Sequence, residues 1–226
     1  MNGSPKARMA SSVRLMTILT LQLGLLGVAG AATYTESING DLSGNRLDPT
    51  FLQLDFSPAG NVPGSNVITG TTGRINGAID RDYLWVNVPV GFAMSELRVG
   101  TQTSVGGAGS FIGLAAGKLM PVPENAASAR FLLGWTLYNR ENIGTDILDD
   151  MAIPADGSNG FSRPLPAGDY TFWIQELAGA QFNYRFNMVL TPIPLPAAAW
   201  LLGAGLLLLG AASRRQAADQ AVIGTA

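Results

Sequence analysis

The chain has 226 residues with no cysteine and no histidine. Those two absences exclude a disulfide framework, a thiolate or imidazole zinc site, a thiol nucleophile and a Ser-His-Asp triad. The formal net charge is −2, but residues 33–191 carry nine basic and fifteen acidic side chains, a net of −6; an acidic domain without basic runs is a poor nucleic-acid binder.

At the front, Lys6, Arg8 and Arg14 precede or open an apolar run over residues 15–28, and the small residues Ala29, Gly30, Ala31 and Ala32 follow. A basic start, a short apolar stretch and an A-x-A site make a secretory signal peptide. Residues 1–32 are therefore expected to form an export helix removed after Ala31 or Ala32, with the Sec translocon and signal peptidase as partners. The apolar run is short for a membrane span, which also favours cleavage.

Residues 33–191 alternate short β-like runs with Gly, Pro, Asn and Asp clusters, and this stretch has no long apolar stripe of helical period. Strands are expected at 51–56, 66–71, 83–88, 95–99, 110–115, 131–138, 169–177 and 182–190. The last has the clearest pattern. Phe182, Tyr184, Phe186, Met188 and Leu190 alternate with Asn183, Arg185, Asn187 and Val189, giving one apolar and one wet face. Tyr170, Phe172 and Ile174 repeat it, and Ala178-Gly179-Ala180-Gln181 is expected to close a hairpin between the two. Residues 100–109 and 146–160 read as exposed loops. Short strands at this spacing predict an all-β fold, a single β-sandwich of jelly-roll or Greek-key topology.

Beyond the domain, Pro192, Pro194 and Pro196 alternate with other residues to give a stiff, extended spacer, because proline fixes φ and removes a donor. Residues 197–212 are apolar, and Arg214 and Arg215 follow at once. The run suits a tilted transmembrane helix or a thin membrane. Trp200 is then expected at the outer interface and Arg214-Arg215 on the cytoplasmic side, with 216–226 as a cytoplasmic tail. The sequence Pro194-Leu195-Pro196-Ala197-Ala198-Ala199-Trp200-Leu201-Leu202-Gly203, its Leu-rich continuation and the arginine pair resemble the VPLPA variety of the PEP-CTERM sorting signal. Ile193 stands where that signal usually has valine, and eleven residues follow Arg215. The resemblance implies an exosortase-like enzyme that recognises Pro194, Leu195, Pro196, Ala197 and Trp200 within residues 192–215 and cuts nearby. It further implies an inner-membrane intermediate, then release to the outer surface or extracellular space of a Gram-negative bacterium that makes exopolysaccharide.

Within the domain, Asp80-Arg81-Asp82-Tyr83 with Val88-Pro89-Val90-Gly91, and Leu165-Pro166-Ala167-Gly168-Asp169-Tyr170, resemble two strand motifs of the pre-peptidase carboxy-terminal domain of exported bacterial proteins. That resemblance implies a β-sandwich accessory module with varied partners.

Three groups of residues are candidates for a site. Asp80 and Asp82 point the same way from an extended chain. With Asp41 or Asp169 they are candidates for a weak calcium site, since hard oxygen ligands suit that ion; the other reading is acids that start turns. Glu141, Asp149, Asp150, Asp156 and Glu176 are acids from which a glycosidase pair would have to come. Trp85, Trp135, Trp173, Tyr138 and Tyr184 form either a sugar-stacking face or core. The expected function is a non-enzymatic structural or adhesive module of the cell surface or biofilm matrix, with calcium as its one conceivable cofactor. The alternatives are a carbohydrate- or calcium-binding module associated with exopolysaccharide, and a carboxylate-dependent hydrolase.

Overall fold

A computed structural model describes residues 32–56, 66–75, 77–176 and 178–194 of the chain. The expected signal peptide up to Ala31, the apolar run 197–212, and Leu195, Pro196, Ala197, Trp200, Arg214 and Arg215 lie outside the described residues. Among the described residues no helix is long and apolar enough to cross a membrane.

The described part is all-β. Its strands are β1 (Thr33–Thr35), β2 (Thr50–Leu52), β3 (Val67–Ile75), β4 (Ala78–Val88), β5 (Phe92–Val99), β6 (Ser110–Ala116), β7 (Gly134–Tyr138), β8 (Gly168–Gln175) and β9 (Gln181–Pro192). Two short helices, α1 (Glu36–Asn39) and α2 (Leu148–Ala152), interrupt them. The hydrogen-bonded order is β5-β9-β3-β4-β8-β6-β7, with β1 beside β3 and β2 beside β4.

The path bends because β3 and β4 change partners along their length. β3 pairs with β9 over residues 67–73 and with β4 only at Gly73, Arg74 and Ile75. β4 leaves β3 after Asp80 and pairs with β8 from Arg81 to Val88. Where the two diverge, β1 lies parallel to β3 and β2 parallel to β4. The result is two sheet portions joined at a corner and facing one core. Leu84, Val86 and Val88 of β4 and Phe172 of β8 meet Tyr184, Phe186, Met188 and Leu190 of β9 and Leu97 of β5. Each such large apolar side chain contributes about 1.5–3 kcal/mol by leaving water. Segment 143–165 bridges to the free edge of β5 through Ile143, Asp146 and Leu165, and the sheet is nearly closed.

Four sequence expectations are corrected. Residues 178–181 do not close a hairpin: β8 pairs with β4 and β6, β9 with β3 and β5. The connection instead crosses from one sheet portion to the other, held by the Glu176 carboxylate, which accepts from Ala178 N–H at 2.7 Å and from Gly106 N–H at 3.2 Å. Residues 100–109 are not a free loop. Gly100 and Ser104 donate backbone N–H groups to Arg185 and Asn183 of β9, and Thr103 and Val105 are buried. Residues 146–160 hold α2, and Ile147, Leu148 and Met151 are buried in the core. Finally, β7 starts at Gly134 rather than at Phe131, because Phe131 has a φ of 79°, which no strand accommodates.

Candidate metal centre

The site begins with the alternation of β4. Asp82 stands in the inward row that continues through Leu84, Val86 and Val88, so its carboxyl enters the end of the core and is 0 % exposed. Neither carboxylate oxygen has a hydrogen-bond partner among the described residues. A buried acid without a donor is costly, whether it stays charged or takes up a proton.

Glu36 is delivered from the other sheet portion. β1 pairs Thr33 with Val67 and Thr35 with Thr69, and α1 starts at the next residue, directly above β3. There the Thr71 N–H donates to Glu36 Oε2 at 2.7 Å and the Tyr184 hydroxyl to Oε1 at 3.1 Å. Gly70 permits this approach: a Cβ there would collide with the Glu36 carboxylate and the Tyr184 hydroxyl. Asp41 follows Gly40, whose φ of 95° turns the chain back after α1. One oxygen each from Glu36, Asp41 and Asp82 then lie within 4.8 Å of one another. Calcium–oxygen distances of about 2.3–2.6 Å set opposite ligands about that far apart, and water can fill the remaining places. A hollow of about 410 Å³ lined by Glu36, Asp41, Gly70 and Thr71 leads to the cluster.

The electrostatics agree with the geometry. Burial, and next the charge of Glu36, push the Asp82 carboxyl up to about 9; the Tyr184 phenol, whose single O–H goes to Glu36, is still close enough to pull the other way. Burial, then Asp41 and Glu36, raise Asp80 to about 6. Glu36 is raised by burial against the pull of its Thr71 and Tyr184 hydrogen bonds. Burial raises Tyr184 as well, followed by the charges of Asp82 and Glu36. Among the described residues no ion pair involves Glu36, Asp41, Asp80 or Asp82. The cluster is thus a concentration of acidic groups in which burial and mutual repulsion favour a proton on Asp82, and a divalent cation can replace that proton.

The structure sorts the sequence candidates. Asp82 and Asp41 come together, and Asp80 lies close enough to feel them. Asp169 does not join: it accepts from the Asn87 amide at 2.7 Å and faces Lys118 at 3.8 Å. Glu36 and Tyr184 complete the site. Sequence reasoning missed Glu36 because it sits in a four-residue helix with no period to read. The other acids are not brought into this cluster. Asp149 pairs with Arg163, Glu141 lies in a 3₁₀ turn, and Glu176 is buried among its own donors. Of the aromatics, Tyr138 and Tyr184 are core, Trp85 lies under Phe51 and Lys118, and Trp135 and Trp173 meet Phe111 on the outer face. Compared with known proteins, the chain matches no family model, no curated protein and no solved structure.

Proposed function

We propose that this is an exported, non-enzymatic surface or matrix protein whose β-domain is closed by a calcium-type divalent cation at Glu36, Asp41 and Asp82. The domain is read as a β-sandwich of the jelly-roll or Greek-key kind. The observation that carries the cation reading is the Asp82 carboxylate, fully buried, met by two further carboxylates, and with the one hydroxyl beside it, Tyr184, already donating to Glu36. Export rests on the basic and apolar residues up to Ala32. Processing by an exosortase-like enzyme near Pro194, Leu195, Pro196, Ala197 and Trp200 rests on the order of proline motif, apolar run and arginine pair. A cation of this kind suits such a destination, because calcium outside cells is millimolar and a weak site suffices there.

Two measurements test the two halves. In the first, the purified full chain is melted in chelator and in millimolar calcium. Calcium at about ten times its dissociation constant adds about 1.4 kcal/mol, and Asp82→Asn removes that response while still melting cooperatively. A melting temperature indifferent to calcium sinks the cation reading. In the second, mass spectrometry of secreted and envelope fractions reads the mature ends. A cell-associated chain retaining residues 201–212 uncut sinks the processing reading.

A further inference from the structure

The sheet portion that contains β4, β8, β6 and β7 has a second apolar cluster on its outer face. Tyr83, Ala115, Met120, Val122, Leu132 and Trp173 form it, and the connection from β6 to β7 folds over it. Between that connection, the turn at 155–158 and the sheet lies a cleft of about 490 Å³, within the roughly 300–1,000 Å³ of small-ligand sites.

Its floor is aromatic for a register reason. Gly113 pairs with Trp135 on one side and Trp173 on the other. Having no side chain, it leaves room for the Phe111 ring, which a Cβ would meet at 2.9 Å. Phe111 stacks on Trp135 with centroids 5.9 Å apart at 27°, and meets Trp173 edge-on at 4.8 Å. The rim is polar. The Asp156 backbone carbonyl takes the Ala129 N–H and the Ser128 hydroxyl, but its carboxylate has no hydrogen-bond or ion-pair partner among the described residues. None of the residues lining the cleft is basic. Asp156, one of the two non-glycine residues with positive φ among the described residues, stands on its rim. Strain of this kind collects where the shape of a surface matters.

We propose that this cleft binds a neutral saccharide, with the apolar face of a sugar ring on the Phe111–Trp135 pair and a ring hydroxyl donating to the Asp156 carboxylate. An anionic ligand would face Asp156 with no counter-charge, and an aliphatic chain would leave that carboxylate without a role. A sugar uses both the rings and the acid. This assignment does not depend on the cation site.

Isothermal titration of the full chain with cellohexaose, chitohexaose and mannohexaose tests it. At least one of the three gives saturable binding. Ala127→Trp, which fills the cleft from its exposed wall without disturbing the core, weakens that binding about tenfold or more. Asp156→Asn weakens it severalfold, and Trp85→Ala, on the same face but outside the cleft, leaves it unchanged. No saturable binding to any of the three at millimolar concentration overturns the proposal. So does wild-type affinity in folded Ala127→Trp, or binding of a proline-rich peptide and none of the sugars, which would assign the cleft to a protein segment.

Discussion

Two buried acids of this domain invite comparison. Glu176 is 2 % exposed and Asp82 is 0 % exposed, yet they are treated in opposite ways. The Glu176 carboxylate receives Gly106 N–H, Ala178 N–H and the Ser110 hydroxyl. The Asp82 carboxylate receives no hydrogen bond among the described residues and is met by two more acids. Burial alone therefore says nothing about function. Glu176 is a latch, because its donors replace the water it lost. Asp82 has no such replacement, and the proposed cation would supply it.

The latch gives the largest expected effect. Glu176→Ala leaves two buried donors, Gly106 N–H and the Ser110 hydroxyl, and the half-buried Ala178 N–H unanswered, and at about 1 kcal/mol or more each it lowers stability by roughly 3 kcal/mol. For a domain of this size that is about 10 °C in melting temperature, unchanged by calcium. A loss that calcium restores would erase the distinction between the two acids. Next comes Gly70→Ala, which forces Glu36 and Tyr184 off β3. It costs about 2 kcal/mol as an overpacking change, and it also abolishes the calcium response. Calorimetry with and without calcium separates the two effects, and a variant that binds calcium as before would show that Glu36 is dispensable.

The third test is pH. In the cation-free fold Asp80 and Asp82, facing Glu36, Asp41 and Tyr184, keep protons up to about 6 and about 9, whereas the unfolded chain loses them near 3.8. The folded state binds more protons between those values, so stability falls as pH rises from about 4 to about 9 and levels beyond. The direction of that fall is the test, and millimolar calcium flattens it. Urea midpoints at about pH 5, 7 and 9 in chelator read it directly; midpoints that climb over this range would contradict the cluster.

Much of this was legible in the sequence, where side-chain period carries the information. The alternation from Phe182 to Leu190 placed β9, and the spacing of Asp80 and Asp82 put both on one face, though the expected strand began only at Tyr83 and β4 starts at Ala78. What failed depends on where the chain goes after a strand ends. Ala178-Gly179-Ala180 suits an arch between sheets as well as a hairpin, and only the partners of β8 and β9 distinguish them. Residues 146–160 looked exposed because Asp149, Asp150, Pro154 and Gly157 outweigh Ile147, Leu148 and Met151, three side chains that close the core. The aromatic candidates could not be sorted without knowing which face each strand turns inward: Tyr184 went to the core, while Trp135 and Trp173 floor the outer cleft.

The placement of β1 and β9 on either side of β3 has a consequence for the order of events in folding. The hydrogen bond from Tyr184 to Glu36 joins residues 148 apart in the chain. Contacts this distant form late, after the loop entropy between them has been overcome. A chain emerging residue by residue would hold Glu36 in waiting until β9 arrives. The proposed cation would then bind its full set of ligands only once the domain is complete from its first strand to its last.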